Sequence, residues 1–241
     1  MPGPEPPLLL AIETATTHTS VALARGEEIL DEQEASPEIP AAACLMPAID
    51  ALLGRNRIRL AQIGALALSV GPGSFTGLRI GVATVKGLAF GVEVPVVAVP
   101  TLEALALGAG EGVVVATLDA RRGELYAAGY AIRDGAPSRD LVEGLFTASE
   151  LLARLPPVCR IVGEADAVAG AALRAGLGPG QQLEPGPSRL PRAREVAVLA
   201  AGRLARGDTV RAAELVPRYL RRAEAEARRL GEAVEGPAEA L

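Results

Sequence analysis

Ser69-Val-Gly-Pro-Gly-Ser-Phe-Thr-Gly-Leu-Arg-Ile-Gly-Val-Ala-Thr-Val-Lys-Gly-Leu-Ala-Phe-Gly91 is the most unusual segment of the chain. An apolar run of the kind buried on both faces ends here, glycines turn the backbone, and a helix follows over about 76–90. A strand that hands over to a helix through glycines is a unit of α/β architecture. Its helix N-terminus suits an anion. No Gly-Lys-Ser/Thr follows at Walker A spacing, and Thr76 stands where a GxGxxG fingerprint needs its third glycine. Ser74 directly follows Gly73, which is not the spacing of a nucleophile elbow. The spacing leaves open either phosphate binding or a tight turn that packs a helix.

The helix is apolar almost all round. Gly77, Ile80, Gly81, Thr84, Gly87 and Leu88 share a side dominated by small residues, and Leu78, Val82, Val85 and Ala89 form the larger apolar side. Only Arg79 and Lys86 carry charge. Such a helix is expected to be buried on most sides. The large side can cover its own sheet, and the small side admits a close second helix, either internal (41–53) or from a partner.

Outward from this segment, 8–12, 20–25 and 27–34 read as three strands joined by short links, with Gly26 at a turn. A helix is expected over 41–53 despite Pro47, then strands at 65–70 and 94–99, and a helix over 102–107 that Thr101 can cap. The pattern restarts with strands at 113–119 and 124–133 across a turn at 121–123. Weaker signals place helices at 149–155 and 166–175, a strand at 159–163, a loop over 176–191, an amphipathic helix over 194–206 and a charged helical tail over 223–230. The resulting division is an N-terminal lobe 1–107, onto which about 192–216 packs back, a smaller second lobe 108–191 of related architecture, and a segment with tail at 217–241.

Composition excludes several classes of function. The 241 residues are 49% hydrophobic but only 2% aromatic, so aromatic base-stacking platforms are not expected. The net charge of −5 argues against tight unaided binding to nucleic acid. One histidine, His18, and two distant cysteines, Cys44 and Cys159, make no common metal site, and a serine or cysteine peptidase would have His18 as its only imidazole. No apolar run reaches the roughly 18 residues that span a bilayer. Two separated thiols fit a reducing cytoplasm. After the first strand, Glu13-Thr-Ala-Thr-Thr17 places a carboxylate and hydroxyls at a turn. Ordinary turn chemistry accounts for it, and Glu13, Thr14 and Thr16 are also candidate nucleotide contacts. Asp119-Ala-Arg-Arg-Gly-Glu124 occupies the corresponding turn of the second half.

LLLAIETATTHTSVAL, SVGPGSFTGLRIGVATVKGLAFG, VPVVAVPTLEALA, LDARRGELYAA and PRYLRR occur in an order that resembles the bacterial TsaB (YeaZ) family. The resemblance covers about 8–222 and is closest over GPGSFTGLRIGVAT. It implies a two-lobed α/β fold of the actin-like ATPase (ribonuclease H-like) kind. It implies a noncatalytic subunit that pairs with TsaD, the enzyme that places a threonylcarbamoyl group on N6 of a tRNA adenosine, and that helps recruit the ATPase TsaE. TsaD binds its metal through an HxxxH pair, and the positions that match here hold Thr101 and Leu105. No intrinsic cofactor or metal is therefore expected, with ATP or ADP belonging to the complex. The expected partner face is Leu45 and Ile49 on one helix and Phe75, Thr76, Arg79, Ile80, Ala83 and Lys86 on the next. A homodimer is expected of the chain alone, tRNA is reached only through the complex, and no membrane is involved. This chain departs from the family in carrying Ala41–Ala43 where a histidine is frequent. The alternative is a stand-alone actin-fold ATPase or small-molecule kinase, with Glu13 as the carboxylate that orients metal-bound water.

Overall fold

The computed structural model describes residues 5–36, 38–187 and 189–221. The tail expected at 223–230 lies outside the described residues. Strands β1 (Leu8–Glu13), β2 (Ser20–Arg25) and β3 (Glu28–Glu34) form an antiparallel meander. Helix α1 (Ala41–Arg55) leads to β4 (Ala65–Gly71), which pairs parallel with β1. Helix α2 (Phe75–Val92) leads to β5 (Val96–Pro100), parallel to β4. The sheet order is β3-β2-β1-β4-β5.

Alternation along these strands sorts side chains by size. Leu8, Leu10, Ile12, Leu66 and Leu68 face the layer of α1 and α2. Leu9, Ala11, Ala65 and Ala67 face the other way, toward α6 (Ala193–Ala205). Both faces are covered, which is why β1 and β4 are buried at every position. The short alanine side chains let α6 lie close to the sheet, where Ala193, Val196, Ala197 and Ala200 are fully buried. Pro47 sits inside α1, and its ring leaves the Ala43 carbonyl without a helical donor. Both residues are exposed, so water can serve that carbonyl.

After α3 (Thr101–Gly108), the second sheet repeats the plan of the first. β6 (Gly112–Asp119), β7 (Leu125–Arg133) and β8 (Ala136–Phe146) are an antiparallel meander, and β9 (Cys159–Gly163) and β10 (Gln181–Leu183) add in parallel beyond β6. The order β10-β9-β6-β7-β8 is the first order written from its other end. Helices α4 (Ala148–Leu152) and α5 (Ala165–Gly176) pack with this sheet, where Val115, Leu125, Ile161, Leu151 and Leu173 form a core. Two five-stranded mixed sheets with this shared order make the two-lobed α/β fold that the resemblance implies.

Strand β8 occupies a stretch where no strand was expected, and β10 stands within the expected loop over 176–191. β8 turns off β7 through Asp134 and Gly135, both left-handed, at φ 51° and 70°. The chain divides into two compact units: the described residues of Met1–Ala104 with Pro191–Pro217, and those of Leu105–Leu190 with Arg218–Leu241.

Candidate functional site

Helix α2 is held at its start by the turn that follows β1. Ser74 caps the helix, its hydroxyl accepting the Gly77 amide at 3.3 Å. The Ser74 amide in turn donates to the Ala15 carbonyl at 2.6 Å. A Cβ on Gly73 would overlap the Ala15 carbonyl, one on Gly77 would overlap the Thr14 carbonyl, and one on Gly81 would stand 2.8 Å from Leu68 Cδ1. These glycines, four residues apart, form the groove that receives residues 14 and 15. The part of the small side formed by Gly77 and Gly81 therefore packs against residues 14 and 15 of its own unit, while Gly87 stays exposed.

The other flank of α2 is open. Leu78 and Val85 are fully buried, whereas Thr76, Arg79, Ala83, Gly87 and Phe90 are exposed at helical spacing. Phe90 is 90% exposed. The Arg79 guanidinium lies 3.8 Å from the centre of the Phe75 ring. Ile80 packs partly into the core, and Lys86 Nζ donates to the Ala213 carbonyl at 3.2 Å. By length and composition α2 is one helix apolar enough to cross a membrane; it packs on its sheet as a core helix and carries Arg79 and Lys86.

Leu45 and Ile49, expected at a partner face, point the other way. They are 1% and 2% exposed and belong to the core between α1 and the sheet. Their spacing marks the buried stripe of α1. The surface of α1, which packs beside α2, carries Ala42, Ala43, Met46, Pro47 and Asp50.

The candidate nucleotide contacts are also buried. Glu13 and Thr14 are inaccessible to solvent. Glu13 Oε1 accepts the Ala15 amide at 2.5 Å, and Oε2 has no hydrogen-bond partner. The Ser69 hydroxyl is a neighbour of the Glu13 carboxyl. Burial pushes the Glu13 pKa to about 8, and the nearby Glu195 carboxylate adds to the rise. Glu195, in the first turn of α6, is raised to about 7, again chiefly by burial. Thr16 is half-buried and its hydroxyl accepts the His18 amide at 3.1 Å. A carboxyl closed off from solvent does not fit the one that orients metal-bound water, and a buried Thr14 side chain does not fit a phosphate contact. Among the described residues, no group of three or more His, Cys, Asp or Glu side chains could hold a metal ion.

Thr101 and Leu105 both lie on α3 and are buried. The Thr101 hydroxyl accepts the Gly71 amide at 3.0 Å, which ties the end of β4 to α3. Leu105 offers no ligand atom. Sequence reasoning missed Glu195; an acidic residue in the first turn of a helix reads only as a favourable dipole contact.

Residues 40–156 match the model of the family described as TsaD, tRNA N6-adenosine threonylcarbamoyltransferase. The tRNA threonylcarbamoyladenosine biosynthesis protein TsaB of Escherichia coli (strain K12) is 35% identical over 228 residues, which cover 88% of this chain and 94% of that protein. The chain belongs to the TsaB family. The Haemophilus influenzae protein of the same name is 42% identical over 123 residues, 49% of this chain and 51% of that one. The solved structure of YeaZ from Pseudomonas aeruginosa superposes with a TM-score of 0.76 at 32% identity, covering 89% of this chain and all of that chain. Family membership and the twice-repeated sheet order agree on the fold.

Proposed function

We propose that the chain acts in tRNA threonylcarbamoyladenosine biosynthesis as a noncatalytic scaffold subunit, paired with TsaD and helping to recruit TsaE. Membership of the TsaB family supports the pathway. The TsaD-like family match supports a shared ancestry with the enzyme partner. The observation that carries the pairing is the open flank of α2, where Phe90 stands 90% exposed in line with Gly87, Ala83, Arg79 and Thr76. An exposed aromatic on a smooth, small-residue helix face is a ready contact for a second apolar surface. In isolation the same face would pair two copies of the chain. ATP or ADP, tRNA and a cytoplasmic setting enter through the complex. Burial of Glu13 and Thr14, and the absence of ligand atoms from Leu105, weigh against independent ATPase, kinase or metal-dependent chemistry.

The test is a mixing experiment with the TsaD of the same genome, followed by light scattering. A mass equal to one copy of each protein, formed as the homodimer of the 24.7 kDa chain disappears, is the expected result. Unchanged masses at tens of micromolar of each would sink the scaffold reading.

A further inference from the structure

The surface that a partner would meet is fixed from beneath by a buried acid. We propose that Glu13 is a positioning residue whose un-ionised carboxyl holds the N-terminus of α2, and hence its open flank, in register; this rests on the reading of that flank as the partner face. The connection is short and hydrogen-bonded at each step. Glu13 Oε1 accepts the Ala15 amide at 2.5 Å, the Ala15 carbonyl accepts the Ser74 amide at 2.6 Å, and the Ser74 hydroxyl accepts the Gly77 amide at 3.3 Å. Leu78 N then donates to the Ser74 carbonyl at 2.9 Å, which begins the helical ladder.

Burial and the nearby Glu195 carboxyl favour the neutral form of Glu13 and outweigh the Ser69 hydroxyl and the Ala15 amide, which favour the ionised form. From β4 comes the Ser69 hydroxyl, which is buried beside the Glu13 carboxyl. Ser20, its β2 neighbour in register, accepts the Ala193 amide. From α6 comes Glu195, whose Oε2 is unpartnered. The cations near Glu195 are Arg192, which pairs with Glu32 and Glu34 of β3, and Arg194, which lies beside Glu195 itself. His18 pairs with Glu34 at 3.0 Å. The residues at the start of α2 bring no charge within the hydrogen-bonded chain. Among the described residues no cation is paired with Glu13, so its ionised form would be a buried charge beside a second carboxyl. Opening of the turn, which admits water, releases the proton; the closed turn keeps it.

Amide exchange of the free chain tests this without any partner. Protection of Ser74, Gly77 and Leu78, divided by the intrinsic rate at each pH, should fall about tenfold per pH unit from about pH 5.5 to 8 and then level off. Glu13→Gln retains the acceptor and removes the titration, so its profile should be flat, while amides of β6 and β7 serve as a control for global opening. Glu195→Gln should keep the slope. A flat profile in the unsubstituted chain, or a slope that survives Glu13→Gln, overturns the proposal. A chain that shows the slope yet ignores TsaD overturns the scaffold reading alone.

Discussion

Gly77 lies against the Thr14 carbonyl so closely that a methyl group at residue 77 would overlap that oxygen. The contact is between backbone and backbone, and neither side can rotate away. Gly77→Ala should therefore force α2 off the β1 turn. We expect a loss of about 1–3 kcal/mol in urea unfolding, although alanine is the better helix former by about 1 kcal/mol. Gly87→Ala is the control: nothing lies within 4 Å of a Cβ there, and the same change should leave stability equal or higher.

Arg79 offers a charge test of the open flank. It is exposed and stacks on Phe75, so Arg79→Glu should cost under about 1 kcal/mol of stability. Pairing with TsaD, read by light scattering, should be lost. Retained pairing would remove Arg79 from the face. Phe90→Asp should have the same effect, since Phe90 makes little contact within its own chain.

Stability should rise and then fall with pH. Arg55 holds the Asp31 pKa down to about 2. A depressed pKa contributes stability above the ordinary carboxylate value, and that contribution is lost as pH falls from about 4 to 2. Glu195 and Glu13, raised by burial to about 7 and 8, act in the opposite sense. Their contribution is present in full below about pH 4.5 and is lost as pH rises through 7 and 8. Urea midpoints across pH 2–9 should peak near pH 5. Asp31→Asn should flatten the acid limb and Glu195→Gln part of the neutral limb.

Thr117 tests the second unit. Its hydroxyl donates to the Val162 carbonyl at 2.6 Å and accepts the Ala165 amide at 3.1 Å, both buried. Thr117→Val keeps the shape and strips both bonds. The expected cost is about 1–3 kcal/mol, read as an earlier thermal transition.

The strands and helices of the first unit were legible because their apolar periods are long, with Gly26 marking the turn between β2 and β3. β8 was not, because it is an edge strand. One side of APSRDLVEGLF pairs with β7 and the other meets solvent, so charge interrupts the alternation on which strand reading depends. β10 is three residues long and carries no period at all. On α1, the apolar stripe was visible, but apolar side chains mark the core as readily as a partner surface. Leu45 and Ile49 took the core, and Met46 and Pro47 were left outside. The small residues of α2 posed the same choice: Gly77 and Gly81 took residues 14–15 from much earlier in the chain, and Gly87 was left outside. The link from Glu13 to α2 passes through backbone atoms, which no side-chain pattern records.

The alanine-lined face of the first sheet acquires its cover from α6, which begins only at Ala193. A ribosome making this chain has then already released all five strands of the second sheet, which end at Leu183. The sheet begun first is thus the one covered last. Until α6 emerges, the nascent chain carries an uncovered apolar sheet face, and during that interval chaperone capture competes with folding.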